Sequence, residues 1–342
     1  MTTRILIDMP VHERHLRELQ SMDGIHVDLL PHREVSPETP ASDVAPDILS
    51  AADVVFCTMP PNNFAAMHRL RWIQISSAGY SQLFGLNLVE RSIRATNARG
   101  CFDVPIAEWN LAMMVNLARD LWQMVRNQDA QVWNRDARFQ SEIRGLTVGL
   151  WGYGGIGRET ARLLHALGMR IHVLSRNGVG TVTNVYCVAG TGDPDGALPD
   201  RVFLKGQEHE FLSSLDFLIL AMPLTPASEG IVGERELRAL PSSAFVLNPS
   251  RGPLIQEAAL LRALSEGWIA GAAIDTHYQY PLPPEHPLWR FPNVILTPHI
   301  SGSGLSPYFL DRCWDIFTQN VRRLLTGQPL LNELTAAQLS GA

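Results

Sequence analysis

Residues 147–177, TVGLWGYGGIGRETARLLHALGMRIHVLSRN, restrict the possible folds of this chain more than any other stretch. Thr147 to Trp151 is a short apolar, β-rich run that reads as a buried strand. Gly152-Tyr153-Gly154-Gly155-Ile156-Gly157 follows with the G-x-G-x-x-G spacing. A helical pattern then places Ile156, Ala161, Leu163, Leu164 and Leu167 on or near one face, with Gly168 as a stop signal. Arg170 to Leu174 is a second strand, which completes a βαβ unit. In such a unit Gly152 makes the tight turn, Gly154 lets backbone approach a pyrophosphate, and Gly157 allows close helix–strand packing. The phosphates rest on the free N–H groups and positive end of the helix. The expectation is a dinucleotide-binding loop spanning residues 152–157.

The end of the second strand selects the cofactor. An acidic side chain there accepts from a ribose 2′-hydroxyl, whereas an arginine accommodates a 2′-phosphate. The chain reads Leu174-Ser175-Arg176-Asn177, without a carboxylate. Ser175 can hydrogen-bond a phosphate, and Arg176 can pair with it and stack on adenine. NADP(H) is the predicted cofactor and NAD(H) the alternative.

With 342 residues the chain is long enough for two domains, and 46% apolar with 18% charged residues suits a sizeable core. The net charge of −6 leaves no basic footprint for nucleic acid. No apolar run reaches membrane-spanning length, and the start MTTRILIDMP has no secretory pattern. Cys57, Cys101, Cys187 and Cys313 form no CxxC pair, and read as reduced thiols of a cytoplasmic protein.

Strands are expected at Ile5–Ile7, Ile25–Leu29, Val54–Cys57 and Trp72–Ile75, with a helix at His12–Gln20 and a surface loop at Pro37–Pro46. Met59-Pro60-Pro61 follows one strand, as a cleft wall or a plain turn. Ser76-Ser77-Ala78-Gly79-Tyr80 follows another, and its small residues leave backbone N–H groups free for an anion. Asp103 and Pro105 open one long helix reaching about Gln128. Val132–Ile143 reads as a subunit-contact arm or a tucked-in loop. Residues 178–206 read as an insertion with a small strand at Val185–Val188. Further β–α alternation through Val294–Leu296 implies a parallel sheet covered on both faces. Leu305–Leu325 is a final amphipathic helix.

Ligands in doubly wound sheets sit beyond the carboxyl ends of strands. Met222, Pro223 and Thr225 follow one strand and Ser250-Arg251 the next. Asp275 ends a third, and His299 to Gly302 follow the last. Met222, Pro223, Thr225, Ser250, Asp275 and Gly302 are assigned to the cofactor, and Met59, Ser77, Ala78 and Gly79 to the substrate. Arg251 suits the carboxylate and carbonyl of a 2-oxo acid, and His299 suits proton transfer to the nascent alkoxide. A helix-capping arginine and a core histidine are the plainer readings of these two residues.

The stretches TVGLWGYGGIGRETARLL, AMPLTP, LNPSRGPLIQEAALLRAL, AGAAID and PLPPEHPLWRFPNVILTPHISG resemble the D-isomer-specific 2-hydroxyacid dehydrogenases, as does ATNARGCFDVPIAEW. The resemblance implies a Rossmann domain, residues 105–303, inserted in a flavodoxin-like substrate domain made of residues 1–104 and 304–342. It also implies a homodimer, and N–H groups of Ala78 and Gly79 on the substrate carboxylate. Arg251 and His299 match the family's catalytic pair. The Ser-Arg in place of the usual Asp resembles the NADP-preferring glyoxylate/hydroxypyruvate reductases.

One departure concerns the family's glutamate, which pairs with the catalytic histidine. Its position, five residues after Asp275, holds Tyr280. Losing that carboxylate lowers the His299 pKa by about 1–2 units. Two readings compete with a 2-oxo acid reductase on this ground. One is a nucleotide-sensing protein impaired in turnover by Tyr280. The other keeps the fold and takes hydride from formate or phosphite, whose small polar pockets fit poorly with Met59 and Tyr80.

Overall fold

A computed structural model describes residues 2–31, 43–136 and 140–340. The chain divides into two compact units, and both are α/β.

The first unit comprises Met1–Phe102, Thr183–Val188 and Gly304–Ala342. Its strands are β1 (Thr3–Asp8), β2 (Ile25–Leu29), β3 (Val54–Cys57), β4 (Trp72–Ile75) and β5 (Arg94–Thr96). They pair in parallel in the order β2-β1-β3-β4-β5, the flavodoxin-like sequence. β3 and β4 are buried at every position, as expected of strands covered on both faces. Helices α1 (Glu13–Gln20) and α2 (Pro46–Ala51) lie between the strands in sequence.

The second unit comprises Asp103–Val182 and Ala189–Ser303. It opens with α3 (Asp103–Ala118) and α4 (Leu121–Asp129). The βαβ unit follows as β6 (Thr147–Trp151), α5 (Gly155–Ala166) and β7 (Arg170–Ser175). Then come β8 (Arg201–Leu204), α6 (Glu208–Leu212), β9 (Phe217–Leu220), α7 (Glu234–Ala239), β10 (Phe245–Asn248), α8 (Glu257–Ser265), β11 (Gly271–Ile274) and β12 (Val294–Leu296). The order β12-β11-β10-β9-β6-β7-β8 reverses at β6, and all pairs are parallel. This is the Rossmann order with one strand added, and its switch point lies at the glycine-rich loop.

The chain ends in α9 (Pro307–Leu325) and α10 (Ala336–Leu339) of the first unit. Ser306 caps α9, its side chain accepting from the Tyr308 N–H. Phe317 of α9 stacks on Phe56 and Trp72, with ring centroids 4.5 and 5.2 Å apart, and so fastens the helix to β3 and β4.

Several local expectations are corrected. The single helix to Gln128 is two, because Asp120 adopts left-handed φ of 47° and caps α4. Val185–Val188 forms no strand, and Thr183–Val188 group with the first unit instead of the expected 105–303 domain. There the Tyr186 hydroxyl donates to Asp315, and the Tyr186 N–H donates to Asn332. The end of the supposed insertion is β8, a four-residue edge strand exposed at all but Phe203. In the expected arm, residues 132–136 are irregular and Trp133 is 90% exposed, while Phe139 lies outside the described residues. Residues 37–42 of the Pro37–Pro46 loop also lie outside them.

Asn332 is buried. Its amide donates to the Asn97 and Arg99 carbonyls and accepts from Tyr186. Asn332→Ala leaves two buried backbone groups and the partly buried Arg99 carbonyl without this partner, so chemical denaturation should show a loss of roughly 3 kcal/mol.

Candidate active site

Gly152 follows β6 with φ of +104°, and a Cβ there would meet the Ala221 carbonyl oxygen at 2.6 Å. A Cβ at Gly157 would lie 2.7 Å from the Gly152 carbonyl oxygen, and one at Gly155 would overlap the Asp103 carboxylate. Only glycine fits this path. Gly154 is the N-cap of α5 and offers no side chain to its first N–H groups. The loop is therefore a cradle of backbone donors at a positive helix end, which fits a nucleotide pyrophosphate.

The loop has a clamp that the motif does not announce. Tyr153 and Arg158 are buried, with the Arg158 guanidinium 4.9 Å from the Tyr153 ring centroid. The Tyr153 hydroxyl donates to Asp193 at 2.6 Å, and burial chiefly raises its pKa. Arg158 donates to the carbonyls of Tyr153, Gly180 and Asp193. Asp193 also accepts from the Ala197 and Leu198 N–H groups. Tyr153 therefore directs its side chain into the fold, and the stretch after β7 is tied back to α5. The Ser175 hydroxyl donates to the Gly178 carbonyl at 2.8 Å. Arg176 and Asn177 beside it are exposed. Met222 lies beside Gly152, and Pro223 and Thr225 form a turn held by the Ser228 hydroxyl.

Arg251 and His299 stand on turns at the carboxyl ends of β10 and β12, the two strands that flank β11. Asn248 ends β10 and pins the Arg251 turn, donating to the Arg251 carbonyl at 2.9 Å and accepting from the Ser250 N–H. The Ser250 hydroxyl donates to the Leu220 carbonyl, and the Arg251 side chain is left exposed. Asp275, just past β11, is fully buried. Its carboxylate accepts from the Thr297 and Ser301 hydroxyls and from the Ile300 and Ser301 N–H groups. Its carbonyl accepts from the His299 N–H at 2.8 Å. Asp275 was expected at the cofactor. Its acceptor sites are spent on the loop that carries His299, leaving Gly302 at that loop's far end.

His299 itself takes left-handed φ of 57° and forms no ion pair among the described residues. Burial first, and the nearby Arg251 charge second, hold its pKa below the usual imidazole range, with Asp275 opposing them. Tyr280 is its ring neighbour, with centroids 5.5 Å apart. The Tyr280 hydroxyl accepts from the His277 N–H at 3.3 Å, and burial raises its pKa, so the phenol is neutral. His277 donates from Nε2 to the Thr297 carbonyl at 2.8 Å, and its Nδ1 is buried without a partner.

In the first unit, the loop after β4 turns its carbonyls inward. Those of Ser77, Ala78 and Gly79 accept from the Ala98 N–H, the Asn97 amide and the Ser77 hydroxyl. Gln82 braces the Ser77 hydroxyl at 2.7 Å. Ala78 and Gly79 are exposed. Met59 follows β3 on the same edge of that parallel sheet.

A family model described as D-isomer specific 2-hydroxyacid dehydrogenase, NAD binding domain, matches residues 111–301, more than half of the chain. The chain belongs to this family. It is similar to the glyoxylate reductase of Thermofilum pendens, 29% identical over 267 residues, covering 77% of this chain and 74% of that one. The hydroxypyruvate reductase of Blautia hydrogenotrophica is 27% identical over 82% of this chain and 84% of its own. A D-isomer specific 2-hydroxyacid dehydrogenase family protein from Aeromonas salmonicida shares the fold. It has a TM-score of 0.77 at 24% identity, with 98% of this chain and 99% of that one covered. The protein is accordingly a 2-hydroxyacid dehydrogenase-type oxidoreductase with a nicotinamide nucleotide cofactor.

Sequence reasoning missed the anchoring roles of Asn248, Thr297 and Ser301 around the Arg251 and His299 turns, and of Arg158 with Asp193 behind the glycine-rich loop. Arg158 had one signal, being the residue directly after the last motif glycine. Gly152→Ala should weaken NADPH binding at least tenfold in a fluorescence titration, because the added Cβ forces the turn to open.

Proposed function

We propose that this enzyme reduces small 2-oxo acids to D-2-hydroxy acids with NADPH, which supplies the hydride. The observation that carries the reading is the placing of Arg251 and His299 on turns pinned by Asn248 and Asp275. Arg251 pairs with the substrate carboxylate and polarises the carbonyl. In the first unit, Met59, Ser77, Ala78 and Gly79 bind substrate, the N–H groups of Ala78 and Gly79 suiting a carboxylate. His299 donates a proton to the alkoxide as it forms, and removes it in reverse. Arg176 and Asn177 receive the 2′-phosphate, since the Ser175 proton is already committed. The protein works as a cytoplasmic homodimer. Leu121, Trp122 and Val125 of α4 and Val132 and Trp133 after it leave apolar surface exposed for a second copy, and the four cysteines are free thiols.

The pH dependence follows from His299. Reduction needs the imidazolium, and burial with Arg251 lowers its pKa, so kcat/KM for reduction should fall as pH rises through a value below the ordinary ~6.5. Tyr280→Glu puts a carboxylate beside the ring and should move that limb to higher pH by about 1–2 pH units. NADPH oxidation across pH 5 to 8 with glyoxylate, hydroxypyruvate and phenylpyruvate checks both, and an unmoved limb would refute the account. Arg176→Ala should cut the preference for NADPH over NADH by about tenfold or more, the worth of one charge-assisted contact. A second reading, a nucleotide-sensing protein without turnover, draws on Tyr280. Tight NADPH binding with no reduction at any pH would favour it.

A further inference from the structure

Two helices of the first unit meet at a cluster that the dehydrogenase chemistry does not use. His12 is the N-cap of α1, His15 lies one turn on, and Asp311 comes from the first turns of α9. Asp311 Oδ1 lies 3.3 Å from His12 Nε2 and 3.1 Å from His15 Nε2, and one ligand atom from each residue lies within 4.8 Å of the others. Tetrahedral zinc with bonds of about 2.0–2.1 Å keeps its ligand atoms about 3.3–3.4 Å apart. Two edges of such a shell are therefore nearly in place.

The cation already present adds a second argument. The Arg14 guanidinium lies 2.9 Å from His15 Nε2 and 2.7 Å from Asp311 Oδ1. It places a positive charge against the ring nitrogen and the carboxylate oxygen that a dication would take. His15 is only 3% exposed. The Nδ1 atoms of His12 and His15 are both buried without a hydrogen-bond partner. Glu18 lies 3.7 Å from His15 Nδ1 and pairs with Arg322 of α9. The Arg14 side chain is 64% exposed on a flexible stem and can leave without disturbing the core.

We propose that His12, His15 and Asp311 form a binding site for a transition-metal dication of the zinc class, with Arg14 as its placeholder. Two imidazoles and a carboxylate are a borderline-soft donor set that suits zinc and cobalt over magnesium or calcium. Asp311 is 39% exposed, which leaves the fourth position open to water. Bound there, the ion ties the start of α1 to α9. The two elements are otherwise joined nearby by the Trp314 indole N–H donating to the Pro10 carbonyl at 2.8 Å. The site stands at the carboxyl end of β1, the sheet edge that also carries the Ser77–Gly79 loop. Its effect is to stiffen that edge, and it takes no part in hydride transfer.

The test uses the full-length, tag-free, metal-stripped protein titrated with Zn²⁺ by calorimetry and with Co²⁺ by visible absorption. One ion per chain is expected, with the intense bands of four-coordinate Co²⁺ and a rise in melting temperature on saturation. His12→Ala and Asp311→Asn, both at partly exposed positions, should each weaken binding at least about tenfold. Arg14→Ala should strengthen it by removing the competing cation. Absence of saturable binding would overturn the proposal. So would binding of unchanged strength in both ligand variants, which would place the ion on other surface histidines.

Discussion

Asp275 is a carboxylate with no exposed surface, at a place where an unpaired charge would cost several kcal/mol. Four hydrogen bonds from Thr297, Ile300 and Ser301 satisfy it, and its own carbonyl holds the His299 N–H. The loop must wrap around the carboxylate to make those bonds. Wrapping holds His299 in left-handed backbone, a conformation that a free loop would seldom keep. The backbone of Asp275 reaches the other way, donating to the Asn248 carbonyl, and Asn248 in turn fixes the Arg251 turn. One buried acid thus ties together the turns that carry Arg251 and His299.

Around His299 the electrostatics run opposite to the family's usual arrangement. With Tyr280 as its neighbour and Arg251 acting on it, nothing among the described residues stabilises the imidazolium except the spent carboxylate of Asp275. Tyr280 is itself held through the His277 N–H, and His277 through the Thr297 carbonyl. The aromatic replacement is therefore built into the same framework as the catalytic loop. Burial and the Arg251 charge favour the neutral imidazole of His299.

The nucleotide loop rests on a comparable arrangement. Its glycines are required because backbone carbonyls of Gly152 and Ala221 stand where a Cβ would go. Arg158 and Asp193 then draw the long stretch after β7 back against α5. A buried guanidinium satisfied by carbonyls is a rigid support, and the exposed Arg176 projects from the chain it steadies.

The residues alone determined the α/β class, the βαβ unit and most strand positions. Those features are written in short-range patterns: apolar runs, glycine spacing and polar residues just after strands. Strands β5 and β8 escaped because one is short and the other an exposed edge, so neither carries a long apolar run. The break at Asp120 was hidden because a single left-handed residue leaves the helical periodicity intact on both sides. Only the tertiary structure decided that Asp275 is an anchor, that Tyr153 turns inward, and that Thr183–Val188 belong with the first unit. The same holds for His12 and His15 meeting Asp311 from almost the opposite end of the chain. The reason is physical: hydrophobic periodicity acts over a few residues, whereas a buried polar group takes its partner from whatever the packed fold brings within hydrogen-bond reach.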